Sequence, residues 1–184
     1  MKWKNSENSY GTLFIGIHWL MLLLFIGLYA CINLHELYPK GSDPREALKN
    51  WHFMLGLSVF LLIWLRIAVR LTSPTPSIQP ETQNGQLVLA AKLMHLALYA
   101  LMIVMPLLGW FLLSTEGKPI PFFGLELPAL IGKDKALASQ IKEVHEFIGT
   151  IGYYLIGLHG GVALYHYYIL HDNTLTRMLP DRSD

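Results

Sequence analysis

Residues 145–171 read HEFIGTIGYYLIGLHGGVALYHYYILH, and between Glu146 and Asp172 no Asp, Glu, Lys or Arg interrupts them. A helix crossing the lipid core needs roughly 20 consecutive, predominantly apolar residues, so this stretch is long enough to span. Three more runs share the property. No charge falls between Glu7 and Glu36 or between Lys92 and Glu116, and a shorter gap runs from Lys49 to Arg66 and continues apolar from Ile67 to Leu71. The expectation is an all-α, integral membrane four-helix bundle with helices near 12–34, 50–71, 88–113 and 140–170. Arg66 and Arg70, one turn apart, are expected to snorkel toward headgroups at the end of the second helix. A water-soluble bundle would need a charged outer face on each helix, which these runs do not supply.

Composition narrows the function classes. Of 184 residues 53% are hydrophobic, and 14 Lys plus Arg nearly cancel 13 Asp plus Glu. No basic excess exists for nucleic acid; the expected partner is membrane lipid. The first run is too long for a signal-peptide core despite Lys2, Lys4 and a faint lipoprotein-like Leu28-Tyr29-Ala30-Cys31. Cys31 is the only cysteine, which excludes internal disulfides, Cys-based zinc sites and c-type haem attachment, and reads as a small buried hydrophobe.

The connections are short, and the chain reads as a single domain over 1–184. Loop one has Pro39-Lys40-Gly41-Ser42-Asp43-Pro44. Loop two has Ser73-Pro74-Thr75-Pro76, Pro80 and Asn84-Gly85, with prolines that end helix two. Loop three is the longest; its Pro119-Ile120-Pro121-Phe122-Phe123-Gly124 is expected to lie in the interface and lid the bundle. Four spans put both termini on one side, but cation counts do not say which. Lys2, Lys4, Arg66, Arg70, Lys92, Arg177 and Arg182 stand against Lys40, Arg45, Lys49, Lys118, Lys133, Lys135 and Lys142, seven on each side. Four of the five arginines lie on the terminal side, a lean toward cytoplasmic termini.

Five of the eight histidines, His18, His52, His95, His145 and His159, fall in or at the ends of the spans. Imidazole in lipid must satisfy a donor and an acceptor, so such residues mark ligands, relays or pathways. His145 and His159, 14 residues apart, come within about 40° of one helix face and stand roughly 21 Å apart along it. One helix thus offers two inward ligands at two depths. His52 opens helix two at the side where helix four begins and so matches His145. His18 lies about six residues into helix one from the opposite side and matches His159. Imidazole pairs without carboxylates or cysteines suit bis-histidine haem better than zinc or a carboxylate di-iron centre.

Small residues offer room for porphyrin or for close helix packing: Gly56, Gly149, Gly152, Gly160 and Gly161. His95 is a rival partner for His159. Helix three has no second histidine to match it, only Gly109 at the same 14-residue spacing, so a supporting or propionate contact is favoured for His95. His166, seven residues after His159, is open between a third-site ligand, a quinone hydrogen-bond donor and an interface residue. His35 and His171 read as loop residues.

These residues resemble the bacterial cytochrome b561 family across nearly the whole chain. The carrying segments are Ile17-His18-Trp19-Leu20, Trp51-His52 with Gly56, His95-Leu96 with Tyr99, Val144-His145-Glu146, Gly152-Tyr153 through Ile156-Gly157-Leu158-His159, and Asp172-Asn173-Thr174-Leu175 with Arg177-Met178 and Pro180. The resemblance implies a four-helix protein of the bacterial inner membrane with two haem b groups, one held by His18 and His159 and one by His52 and His145. Its superoxide-oxidising members imply superoxide as electron donor, oxygen as product and ubiquinone as acceptor. The seven cations of loops one and three are candidates for steering superoxide, discounted by the eight acids on that side. His166 with Arg66 or Arg70 nearby is the expected quinone site. The same histidine pattern also suits a cytochrome b subunit serving a redox partner, as in hydrogenases or formate dehydrogenases. Outside redox chemistry, a histidine-relay transporter and a plain membrane anchor are the alternatives; the anchor leaves the paired depths unexplained.

Overall fold

The computed structural model describes Trp3, Asn5, residues 9–78 and residues 85–179. Lys2, Lys4, Glu7, Pro80, Asn84, Pro180 and Arg182, used in the sequence reading, lie outside the described residues. Four helices carry the chain: α1 (Thr12–Leu34), α2 (Asp43–Leu71), α3 (Gly85–Glu116) and α4 (Lys135–Tyr165). A 3₁₀ turn, His35–Leu37, follows α1, and a five-residue π-helical turn, His166–Leu170, extends α4. All four are long and apolar enough to cross a membrane. Their outward side chains are apolar rather than charged, among them Leu23, Ile26, Leu61, Leu65, Leu93, Leu96, Phe147 and Leu158. Water would not tolerate that surface and lipid does, so the fold class is the expected all-α membrane bundle.

Three helices run past their expected limits because their caps lie beyond the apolar runs. α2 starts at Asp43 instead of 50. Pro44 in the first turn brings a fixed φ and has no N–H to leave unsatisfied, while Asp43 and Glu46 complement the helix dipole. α4 starts at Lys135 instead of 140, where the Asp134 carboxylate accepts the Ala136 and Leu137 N–H groups at 2.9 and 3.0 Å. α3 runs to Glu116 and stops at Gly117, whose φ of +65° lets Gly117 and Lys118 donate back to the Ser114 and Leu113 carbonyls. Pro106 sits inside α3, a break in the hydrogen-bond ladder that membrane helices accommodate.

Contacts divide the chain into two units, and each long helix gives one end to each. The first comprises Met1–Leu20, Trp64–Ala100 and Ile151–Asp184. In it, Asn5 accepts the Gly11 N–H and donates to the Pro74 carbonyl, and the Trp19 indole donates to the Met178 carbonyl at 2.6 Å. The second comprises Met21–Ile63 and Leu101–Thr150. Here loop three folds into a minimal hairpin, β1 (Pro121–Phe122) with β2 (Leu125–Glu126), and drives Ile120 into an apolar cluster with Leu57 of α2 and Leu113 of α3. The Trp110 indole donates to the Pro128 carbonyl and the Leu130 N–H to the Ser114 hydroxyl, tying the loop down.

Candidate functional site

Within the second unit, His52 on α2 faces His145 on α4 with ring centres 6.3 Å apart and planes at 71°. The His52 Nδ1 lies 3.1 Å from the Leu28 carbonyl, an acceptor only, so this nitrogen holds the proton and Nε2 keeps its lone pair. The His145 Nδ1 is buried and has no partner. A methyl group at Gly109 would come 3.5 Å from the His145 Cε1, so the missing side chain of α3 leaves the space beside that ring. Gly149 and Gly56 do something else: they admit the Met105 and Leu28 side chains, the packing use of small residues.

Within the first unit, His18 on α1 faces His159 on α4 at 6.2 Å and 70°, almost the same arrangement. His95 on α3 also meets His159, at 5.5 Å and 78°, and its Nδ1 donates to the Ala91 carbonyl at 2.7 Å. Two imidazoles on opposite sides of one metal have ring centres about 6 Å apart, from metal–nitrogen bonds of about 2.0 Å plus roughly 1 Å to each ring centre. Both expected pairs have that spacing. All five histidines are half-buried, and among the described residues no group of three or more His, Cys, Asp or Glu side chains is arranged to hold a bare metal ion. Paired, partly covered imidazoles with an orphaned ring nitrogen and a glycine-lined space fit haem.

The remaining candidates depart from expectation in part. Arg66 does not snorkel: it is only 9% exposed, its guanidinium lies 4.4 Å over the Phe14 ring, and Nη1 has no partner. Phe14 of α1 covers it. Arg70 lies over the Tyr99 ring at 5.8 Å. His166 meets neither arginine among the described contacts; its Nδ1 is bonded to the Asp172 carboxylate, which also accepts the Thr174 N–H at 2.8 Å. Burial pushes the Asp172 carboxyl up, but these bonds to His166 and Thr174 outweigh it and hold the group below the usual carboxylate range. Beside this pair an open cleft of about 530 Å³ is lined by Tyr167, Tyr168, His171, Asp172, Asn173 and Thr176.

His35, expected in a loop, is buried in the turn after α1. Arg45 is not a free steering cation: it is buried and donates to the His35 and Tyr38 carbonyls and to Glu36. Lys49, Lys118 and Lys142 meet Glu46, Glu116 and Glu146.

Comparison with known proteins identifies the family. The profile of the family described as prokaryotic cytochrome b561 matches residues 9–181. The chain is 36% identical over 175 residues to cytochrome b561 homolog 1 of Escherichia coli (strain K12), covering 95% of this chain and 99% of that protein. It is 37% identical over 176 residues to probable superoxide oxidase CybB of Yersinia pestis, with 96% and 98% covered. Cytochrome b561 homolog 2 of Escherichia coli (strain K12) is 29% identical over 181 residues, 97% of this chain and 95% of that one.

Proposed function

Since the chain belongs to the prokaryotic cytochrome b561 family, membrane electron-transfer proteins that bind haem b, we propose that it holds two haems and carries electrons from superoxide to ubiquinone. The observation that carries the di-haem reading is the repeated geometry, 6.2 Å at 70° for His18 and His159 and 6.3 Å at 71° for His52 and His145. The name of the Yersinia relative, probable superoxide oxidase, points to superoxide as donor. Held by the imidazoles of each pair, haem would supply a reversible one-electron ferric/ferrous couple.

The chain's own residues set the rest. Leu28 and Ala91 carbonyls hold the His52 and His95 Nδ1 protons, which fixes the tautomers and turns each Nε2 away from the carbonyl that its ring partner nitrogen bonds. Because His95 is held this way beside His159, its favoured place is support of the His18 and His159 pair. Near the end of α4, Asp172 holds the Nδ1 side of His166, which leaves Nε2 as the ring nitrogen free to bond a quinone oxygen. The balance is two superoxide ions and two protons with one ubiquinone, giving two oxygen molecules and one ubiquinol. A single membrane domain with cytoplasmic termini completes the proposal and puts His166 on the side where protons are drawn in.

The test is rapid mixing of the oxidised protein with superoxide. The proposal expects haem bands to reduce quickly and, with ubiquinone present, to reoxidise with quinol formed. Haem that stays oxidised through a superoxide pulse contradicts it. His166→Ala should slow reoxidation and leave reduction unchanged.

A further inference from the structure

The most costly group in the first unit is one to which the proposed function gives no task. Arg66 stands in a membrane helix, nine-tenths buried, with Nη1 sealed from solvent and lacking a partner. A desolvated guanidinium without counter-charge is tolerated only when something supplies one. No ion pair among the described residues involves Arg66 or Arg70. Tyr99, on α3 and within hydrogen-bond reach of the Arg66 guanidinium, has a buried hydroxyl whose own proton finds no acceptor. Tyr99 lies one turn beyond His95, which meets His159, and Phe14, which covers Arg66, lies one turn before His18. Two donors with unmet hydrogen-bonding capacity therefore lie beside the imidazoles, and one anion would satisfy both.

We propose that Arg66 and Tyr99 form a carboxylate site that takes a propionate of the haem seated at His18 and His159. This rests on the haem reading above. The planar fork of arginine matches a carboxylate through two parallel hydrogen bonds, and the phenol adds a third. The porphyrin brings its carboxylates with it to these histidines. A lipid phosphate offers similar oxygen chemistry, but Phe14 covers the guanidinium from one side and its exposure is too small for a headgroup to approach freely. The site does two things for the chain. It satisfies the buried donors only when haem is present, and its positive charge favours the ferrous state.

The test is spectroelectrochemistry of the purified holoprotein in lipid discs, with native haem b and, separately, after reconstitution with haem dimethyl ester, which lacks the carboxylate charges. With native haem, Arg66→Gln should lower the midpoint potential of one haem so that its ferrous to ferric ratio falls at least tenfold at fixed ambient potential, which is 59 mV for one electron. Tyr99→Phe should shift the same haem in the same direction by less. With the ester, which offers no carboxylate, the Tyr99→Phe shift should vanish and the Arg66→Gln shift should differ in size from that with native haem, because the guanidinium then has no counter-charge. Should Arg66→Gln fail to fold, Arg66→Lys, which keeps the charge but loses the fork, and Tyr99→Phe carry the same comparison. Unchanged potentials in these variants overturn the site. So does an equal shift in native and ester forms, the result expected if the anion were a lipid phosphate. Wild-type protein that binds no haem refutes the haem reading itself, a result distinct from either.

Discussion

Gly109 makes the haem geometry of the second unit testable without touching a ligand. A methyl group there would stand 3.5 Å from the His145 Cε1, at the near edge of the roughly 3.5–4.0 Å at which carbons rest in contact. Gly109→Ala is therefore expected to fit. Gly109→Val adds carbons about 1.5 Å further out, and one of them must push the imidazole or its helix. A ring moved by about 1 Å cannot keep a metal–nitrogen bond of about 2.0 Å. Overpacking of this kind costs about 1–3 kcal/mol, or about 5- to 150-fold in haem affinity. The assay is haem per chain by pyridine haemochrome, with spectral titration as haem is withdrawn by a competing apoprotein. Gly109→Ala should match the wild type, whereas Gly109→Val should release the haem of His52 and His145 first and leave the other in place. A Val variant with full haem content, an unshifted α-band and unchanged release would refute the reasoning.

Three further outcomes follow from side chains away from the iron ligands. Ile120 is 2% exposed against Leu57 and Leu113, so Ile120→Ala should cost about 2–5 kcal/mol locally and make loop three the first site of proteolytic nicking; an unchanged cleavage pattern contradicts that packing. Asp172 has a depressed folded-state pKa, so its contribution to stability is present above its unfolded value and is lost as pH falls through the folded one. Asp172→Asn should accordingly lower thermal stability at neutral pH and change little in acid; equal destabilisation at both would point to a cause other than charge. Because Arg45, Lys49, Lys118 and Lys142 are each engaged with a carboxylate, the rate of reaction with superoxide should vary little with ionic strength, and a steep fall with added salt would show strong steering.

Much of this is legible in the linear chain because lipid imposes simple rules. The charge-free runs give four spans, and the 14-residue spacing from His145 to His159 places two imidazoles on one face of α4. What escapes is set by neighbours distant in sequence. Asp43 and Pro44 read as turn chemistry, yet the same residues open α2, since a proline serves a turn and a helix start equally well. Arg66 reads as a snorkelling residue because nothing local announces that Phe14 of α1 will lie across it. Arg45 counts as a surface cation until the carbonyls of His35 and Tyr38 turn toward it. Gly109 is visible only as the place where α3 lacks a second histidine; that spacing is the signal for its position beside His145.

The central claim is that two histidine pairs each hold one haem, and haem stoichiometry tests it most directly. Measured on the wild type and on His18→Ala, His52→Ala, His145→Ala and His159→Ala, the content should be two haems per chain in the first and one in each variant, with His95→Ala retaining both. Wild-type protein without haem from haem-replete cells, or any one of the four variants with its full complement, would contradict the account.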